Sequence, residues 1–131
     1  MVLWEDEVVY KIILGLSYDL TVGELVEKFG APEAIDVGEG GIPEHPYWDV
    51  VLYYPGLGMR FLARAPWESH RLESTNEVTL STYFVPTSIE ELLEDMYGSD
   101  EKSRERTRSW KGYGDLFQIY YESPEDVFRG K

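Results

Sequence analysis

Apolar and polar positions along the chain follow two periods, and each period marks a different element. In Leu20–Gly30 (LTVGELVEKFG), Val22, Leu25, Val26 and Phe29 recur at i, i+3, i+4 and i+7, which predicts a helix with one apolar face. Thr21 is placed as its N-cap, and Glu24 three residues on makes a capping box. Leu20 and Leu25 stand at the positions of a hydrophobic staple. Gly30 and Pro32 end the segment. Gly23 inside it costs roughly 1 kcal/mol relative to Ala, so this short helix depends on packing. The same pattern returns in Ser88–Gly98 (SIEELLEDMYG), where Ile89, Leu92, Leu93 and Met96 form the apolar face. Ser88 with Glu91 makes the box there, Thr87 with Glu90 is the competing register, and Gly98 is the stop. Glu90, Glu94 and Asp95 are then left pointing outward.

Alternating or β-branched runs predict strands at Val8–Leu14, Tyr47–Tyr54, Leu57–Ala63, Glu77–Val85 and Leu116–Tyr121. Pro55-Gly56 joins the second and third of these as a hairpin. Residues 36–46, 64–76 and 99–109 read as loops. The order is strand, helix, hairpin, then strand, helix, strand. Residues 88–96 align with 21–29, cap on cap and apolar on apolar, a weak internal echo. The expected fold is α+β: an antiparallel β-sheet with two short helices packed on one face, a degenerate tandem of helix–sheet units. Residues 1–131 form one domain, with pseudo-halves at about 8–63 and 77–121.

Charge and composition narrow the function. Acids outnumber bases 25 to 12, a formal charge of −13, which argues against a nucleic-acid backbone as partner. The charge is uneven: residues 1–59 hold eleven acids against Lys11 and Lys28, a net of −9. Residues 102–111 hold five bases against Glu105, a net of +4. With no cysteine there is no disulfide, thiolate metal site or cysteine nucleophile. No apolar run approaches the ~18 residues of a membrane span. The first residues lack a cationic leader and a cleavage site. The expected location is therefore cytoplasmic, or extracytoplasmic if a leader has been trimmed.

No motif in the chain points to catalysis, a metal or a cofactor. Gly38-Glu-Gly-Gly41 lacks the Lys and Ser/Thr of a phosphate loop. Asp36, Glu39, Glu44 and His45 do not have the spacing of a calcium loop. His45 and His70 make no H-x-x-x-H pair, and Ser69-His70 sits outside any G-x-S-x-G elbow. The stronger feature is a sheet face. Alternation puts Trp48, Val50, Leu52 and Tyr54 on one side, with Val78, Leu80 and Phe84. The opposite side, away from the helices, is expected to carry Tyr53, Tyr83 and Tyr120 among Lys11, Asp49 and Arg60. The candidate binding residues are Tyr53, Arg60, Tyr83 and Tyr120, since tyrosines among charges suit a protein-binding platform.

Residues 20–63 carry a further pattern: a short helix closed by Gly30-Ala31-Pro32, then a Trp- and Tyr-bearing strand, Trp48–Tyr54, turning into Leu57–Phe61. This resembles the helix and G-x-P element of the bacterial BamE/SmpA/OmlA small-lipoprotein family. The same fold group includes proteins resembling β-lactamase inhibitor protein, built from two helix–sheet units. The resemblance implies a non-enzymatic, protein-binding module. Only the structural Gly30 and Pro32 carry over, and the chain has no lipobox cysteine for an anchor. Three readings follow. The first is a non-catalytic module binding another protein through the aromatic face. The second is an acidic inhibitor or immunity-type protein steered to a basic partner. The third is a small enzyme or ligand-binding protein using His45, His70 and nearby acids.

Overall fold

The Thr21 cap forms as its spacing dictates. In the computed structural model, which describes residues 2–5, 8–98 and 105–121 and the side chains from residue 20 onward within them, α1 spans Val22–Phe29. Thr21 Oγ1 accepts from Glu24 N at 3.2 Å, and Glu24 Oε1 accepts from Thr21 N at 3.2 Å, so both halves of the capping box are made. Ser88 wins the second register and caps α2 (Ile89–Tyr97) by accepting from Glu91 N at 3.1 Å. The Glu91 carboxylate turns instead to the Thr87 hydroxyl, 2.6 Å away. The side chain of Lys11 and all of residues 99–104, with Lys102 and Arg104 of the basic run, lie outside the described residues.

The sheet is antiparallel, and the fold is α+β. Its strands are β1 (Val2–Glu5), β2 (Val8–Thr21), β3 (Ala34–Ile42), β4 (His45–Tyr54), β5 (Met59–Pro66), β7 (Glu77–Phe84) and β8 (Arg108–Ser109). They lie in the order β1-β2-β7-β5-β4-β3-β8. A second, two-stranded ribbon pairs β6 (Arg71–Leu72) with β9 (Gly114–Asp115). The Pro55–Gly56 hairpin stands as expected, its turn a single 3-10 turn at Pro55–Leu57.

Two segments differ from expectation. Residues 36–46 read as a loop because of their glycines, yet Ala34–Ile42 is strand β3, paired along its length with β4. Gly40 has a packing role there: a Cβ on it would lie 2.5 Å from Tyr47 Cε2 and 2.6 Å from an Asp49 carboxylate oxygen. The missing side chain lets the tyrosine ring lie against the strand. Residues 116–121 read as a strand, yet Leu116–Ile119 is a short helix, α3. Asp115 caps it by accepting from Phe117 N at 2.9 Å. Leu116, Phe117, Tyr120 and Tyr121 are all buried, at the i, i+1, i+4 and i+5 spacing of a helical face. A short apolar run carries no period of its own, and here the cap and the core decide it.

The two long helices do not share a face. Val22, Leu25 and Phe29 of α1 pack with Leu52, Tyr54 and Phe61, and α3 joins this cluster. Ile89, Leu92 and Met96 of α2 pack with Ala34, Val51, Tyr53 and Phe84. Adjacent residues of β4 thus belong to opposite clusters, and the sheet is covered on both sides. The expectation of two helices on one face is corrected accordingly: each strand–helix connection carries its helix to the side its own apolar stripe can bury.

Candidate functional site

Register decides where the four candidate binding residues go. Tyr53 pairs with Arg60, which pairs with Thr82; Tyr54 pairs with Met59, which pairs with Tyr83. Paired residues share a face, so Tyr53 and Arg60 lie on the α2 face and Tyr83 on the α1 face. Tyr53 is 0% exposed, under α2 rather than open to solvent. Tyr83 is half-buried with its ring edge-on to Phe61, centroids 6.4 Å apart. Tyr120 is buried in the turn after α3, where its hydroxyl donates to Gly112 O at 2.7 Å and accepts from Lys111 N at 2.9 Å. Arg60 is half-buried and reaches Met96 Sδ at 2.9 Å. Tyr53 and Tyr120 are therefore structural, Tyr83 is half-buried on the opposite face from Tyr53, and the expected aromatic platform is not assembled from the three. Asp49 does lie half-exposed on the α2 face, with Arg64 beside it; burial raises its carboxyl above the usual range and Arg64 opposes this.

Beneath α2 the sheet buries a polar cluster. Tyr97, in the last turn of α2, donates from its hydroxyl to Asp36 Oδ2 at 3.1 Å. Asp36 is only 6% exposed, and its Oδ1 makes no hydrogen bond of full geometry; nor do Tyr53 Oη, which lies close to the Tyr97 hydroxyl, Arg106 Nε and Thr107 Oγ1. Burial raises the Asp36 carboxyl above its ordinary value, against the opposing pull of Arg106 and the Tyr97 bond. Burial likewise raises the hydroxyls of Tyr53 and Tyr97, with Asp36 adding to both. Tyr97 is neutral at physiological pH and acts as a tether between α2 and β3.

Beside this tether opens a groove of about 570 Å³ between α2 and the segment that leaves β7. Phe84, Val85 and Pro86 form one wall, Leu92 and Met96 the other, and Arg60 lies in the floor. Val85 is 60% exposed, a large apolar side chain directed to solvent rather than to the core. Glu91 and Asp95 stand at the rim, and Glu90 and Glu94 continue the acidic strip along the outer side of α2. On α2 itself Leu92 is the one buried residue among those described. The groove is thus an apolar trough lined by one guanidinium, with the carboxylates of Glu91 and Asp95 along its edge.

A second constellation ties the ribbon to α3. His70 Nδ1 lies 2.9 Å from Asp115 Oδ1, the same oxygen that caps α3, and the His70 ring meets Phe117 edge-on at 4.9 Å. His70 also carries a positive φ of 38°. The pair holds the residue 66–72 turn against α3. His45 lies apart from this pair, exposed at the start of β4. Among the described residues no group of three or more His, Cys, Asp or Glu side chains is arranged to hold a metal ion. No described helix is long and apolar enough to cross a membrane.

Sequence reasoning missed Asp36, placed in a loop, and Tyr97, treated as the end of a helix. Neither has a local signal, because a buried carboxylate becomes visible only when a tyrosine 61 residues away reaches it. Val85 was visible as the last apolar residue before Pro86, but not as a groove wall. No family model, curated protein or solved structure matches the chain.

Proposed function

We propose that the chain is a non-catalytic protein-binding module, and that it binds through the groove beside α2 rather than through an aromatic sheet face. The observation that carries this is the pairing of the exposed Val85 and the half-buried Phe84 and Met96 with a rim that carries the carboxylates of Glu91 and Asp95. A volume of about 570 Å³ is in the range of pockets that take a few side chains. The complementary occupant is a basic segment carrying an apolar anchor: the anchor fills the trough, and lysines or arginines meet the rim. The net charge of −13 favours the same partner at a distance by steering it in. The resemblance of residues 20–63 to small envelope lipoproteins points to the same class of role. The acidic inhibitor reading is a special case, with a basic enzyme as the partner.

The test is selection of peptides on the purified chain from a random library, then calorimetry on the enriched sequences. Enriched peptides should combine basic residues with Leu, Phe or Met. Their affinity should fall as salt screens the rim. Val85→Asp places a charge on the exposed wall without touching the core, and should weaken binding by about tenfold or more. Peptides that bind equally well to that variant, or whose binding ignores salt, would refute the groove as the docking site.

A further inference from the structure

Trp67 is set in the fold as a platform. Its indole stacks on that of Trp48, centroids 4.3 Å apart and planes within 8°. Trp48 is buried, and its ring N–H donates to Trp67 O at 3.1 Å, so ring and backbone are held together. Phe117 supports Trp48 from a third element, edge-on at 4.9 Å. The outer indole is therefore rigid, one face covered, and Trp67 still keeps 36% of its surface exposed. Against that surface lies a shallow depression bounded by Tyr47, Trp67, Glu44, His45 and Glu68. Both glutamates are exposed, and no described cation forms an ion pair with either. The neighbouring aromatic ring already shows what this chemistry holds: the Arg64 guanidinium lies 4.4 Å from the Tyr47 ring centre.

We infer that this depression is a second binding site, taking the guanidinium or ammonium of a basic side chain presented by a protein partner. An electron-rich ring attracts a cation to its face, and Trp does so best among the aromatics. Two carboxylates beside it supply charge and acceptors for the N–H donors. Pre-stacking on Trp48 means that no ring has to be ordered on binding. A neutral sugar would use the same indole face, but two unpaired carboxylates on a chain of net charge −13 favour a cation. The site is distinct from the groove: Arg60 lies near the start of β5 and Trp67 directly follows its end, roughly 20 Å apart along the strand.

Indole N–H resonances of the full chain, labelled with nitrogen-15, report the site directly. The probes are acetyl-Gly-Arg-Gly-amide, the same peptide with Gln for Arg, free tetramethylammonium and methyl glucoside. The arginine peptide should shift the Trp67 resonance saturably, and the Gln peptide should not. Tetramethylammonium should shift it more weakly, since it has no N–H for the carboxylates. The double variant Glu44→Gln, Glu68→Gln, which leaves the stack intact, should weaken the arginine peptide roughly five- to tenfold. Trp67→Ala should abolish the response at the neighbouring Trp48 indole, and Val85→Asp should leave the site unchanged. Equal shifts from the Gln peptide, a saturable response to the glucoside alone, or full binding by the double glutamine variant would overturn the inference.

Discussion

Replacing Tyr53 by Phe separates a buried from a surface role for this tyrosine. The Tyr53 side chain is 0% exposed, and its hydroxyl lies beside that of Tyr97 in a pocket shared with Asp36, without a hydrogen bond of full geometry to either. Leaving such a hydroxyl unsatisfied costs the folded state ~1–3 kcal/mol, and an apolar group of the same shape removes that cost. The ring keeps its contacts with Ala34 and Leu92, so no cavity opens. Asp36 and Tyr97 keep their own bond. The gain should lie in the lower part of that range, about 1–2 kcal/mol, or roughly 3–8 °C in melting temperature for a domain of this size. Urea unfolding followed by tryptophan fluorescence measures it, with the slope against urea unchanged if only stability moves. A loss of stability of similar size would show instead that the Tyr53 hydroxyl makes a stabilising bond, with Tyr97 as its nearest partner.

Three further outcomes test the rest. Because burial raises the Asp36 carboxyl above its ordinary value of 3.8, the folded state holds this proton more tightly than the unfolded chain. Its contribution is fully present below pH 3.8 and declines as pH rises through the higher folded value, so the ionised group is a net cost at neutral pH. Asp36→Asn should therefore raise the melting temperature at neutral pH, with the difference from the parent growing from acid to neutral; a difference independent of pH would contradict the sign. Gly58 has φ +70°, and a Cβ on it would meet Phe84 O at 2.3 Å, whereas Gly56 has nothing within 4 Å. Gly58→Ala should cost more than ~2 kcal/mol by chemical denaturation and Gly56→Ala less than ~1, and equal costs would discount the turn geometry. Asp115→Ala removes the α3 cap and the His70 contact together and should cost ~1–2 kcal/mol, read by thermal melting, with Asp115→Asn losing less.

The helices, the Pro55–Gly56 hairpin and the strand at 77–84 were legible because their signals are local. A cap, a staple, a stop and a 3.6-residue period lie within one segment and act on that segment. Residues 36–42 and 116–119 were not, because glycines and short apolar runs have no strong preference of their own. β3 exists because β4 supplies its partner, and α3 because Asp115 caps it over a core that Leu116, Phe117, Tyr120 and Tyr121 fill. The candidate site was harder still. Tyr53 and Tyr83 look equivalent in their strands, and the pairing through Arg60 and Met59 puts them on opposite faces. A one-residue difference in register reverses every side chain of a strand, and no short window contains the register.

By itself, then, the sequence determined the elements that carry their own boundary signals, the α+β class and the acidic surface. Only the tertiary structure decided which face each element covers. It sent α1 and α2 to opposite sides, buried Tyr53 and Tyr120, which were expected at the surface, and left the groove beside α2 and the Trp67 platform exposed. The physical reason is range: capping and periodicity are set within a few residues, whereas burial depends on contacts such as Tyr97 with Asp36, made across 61 residues of chain.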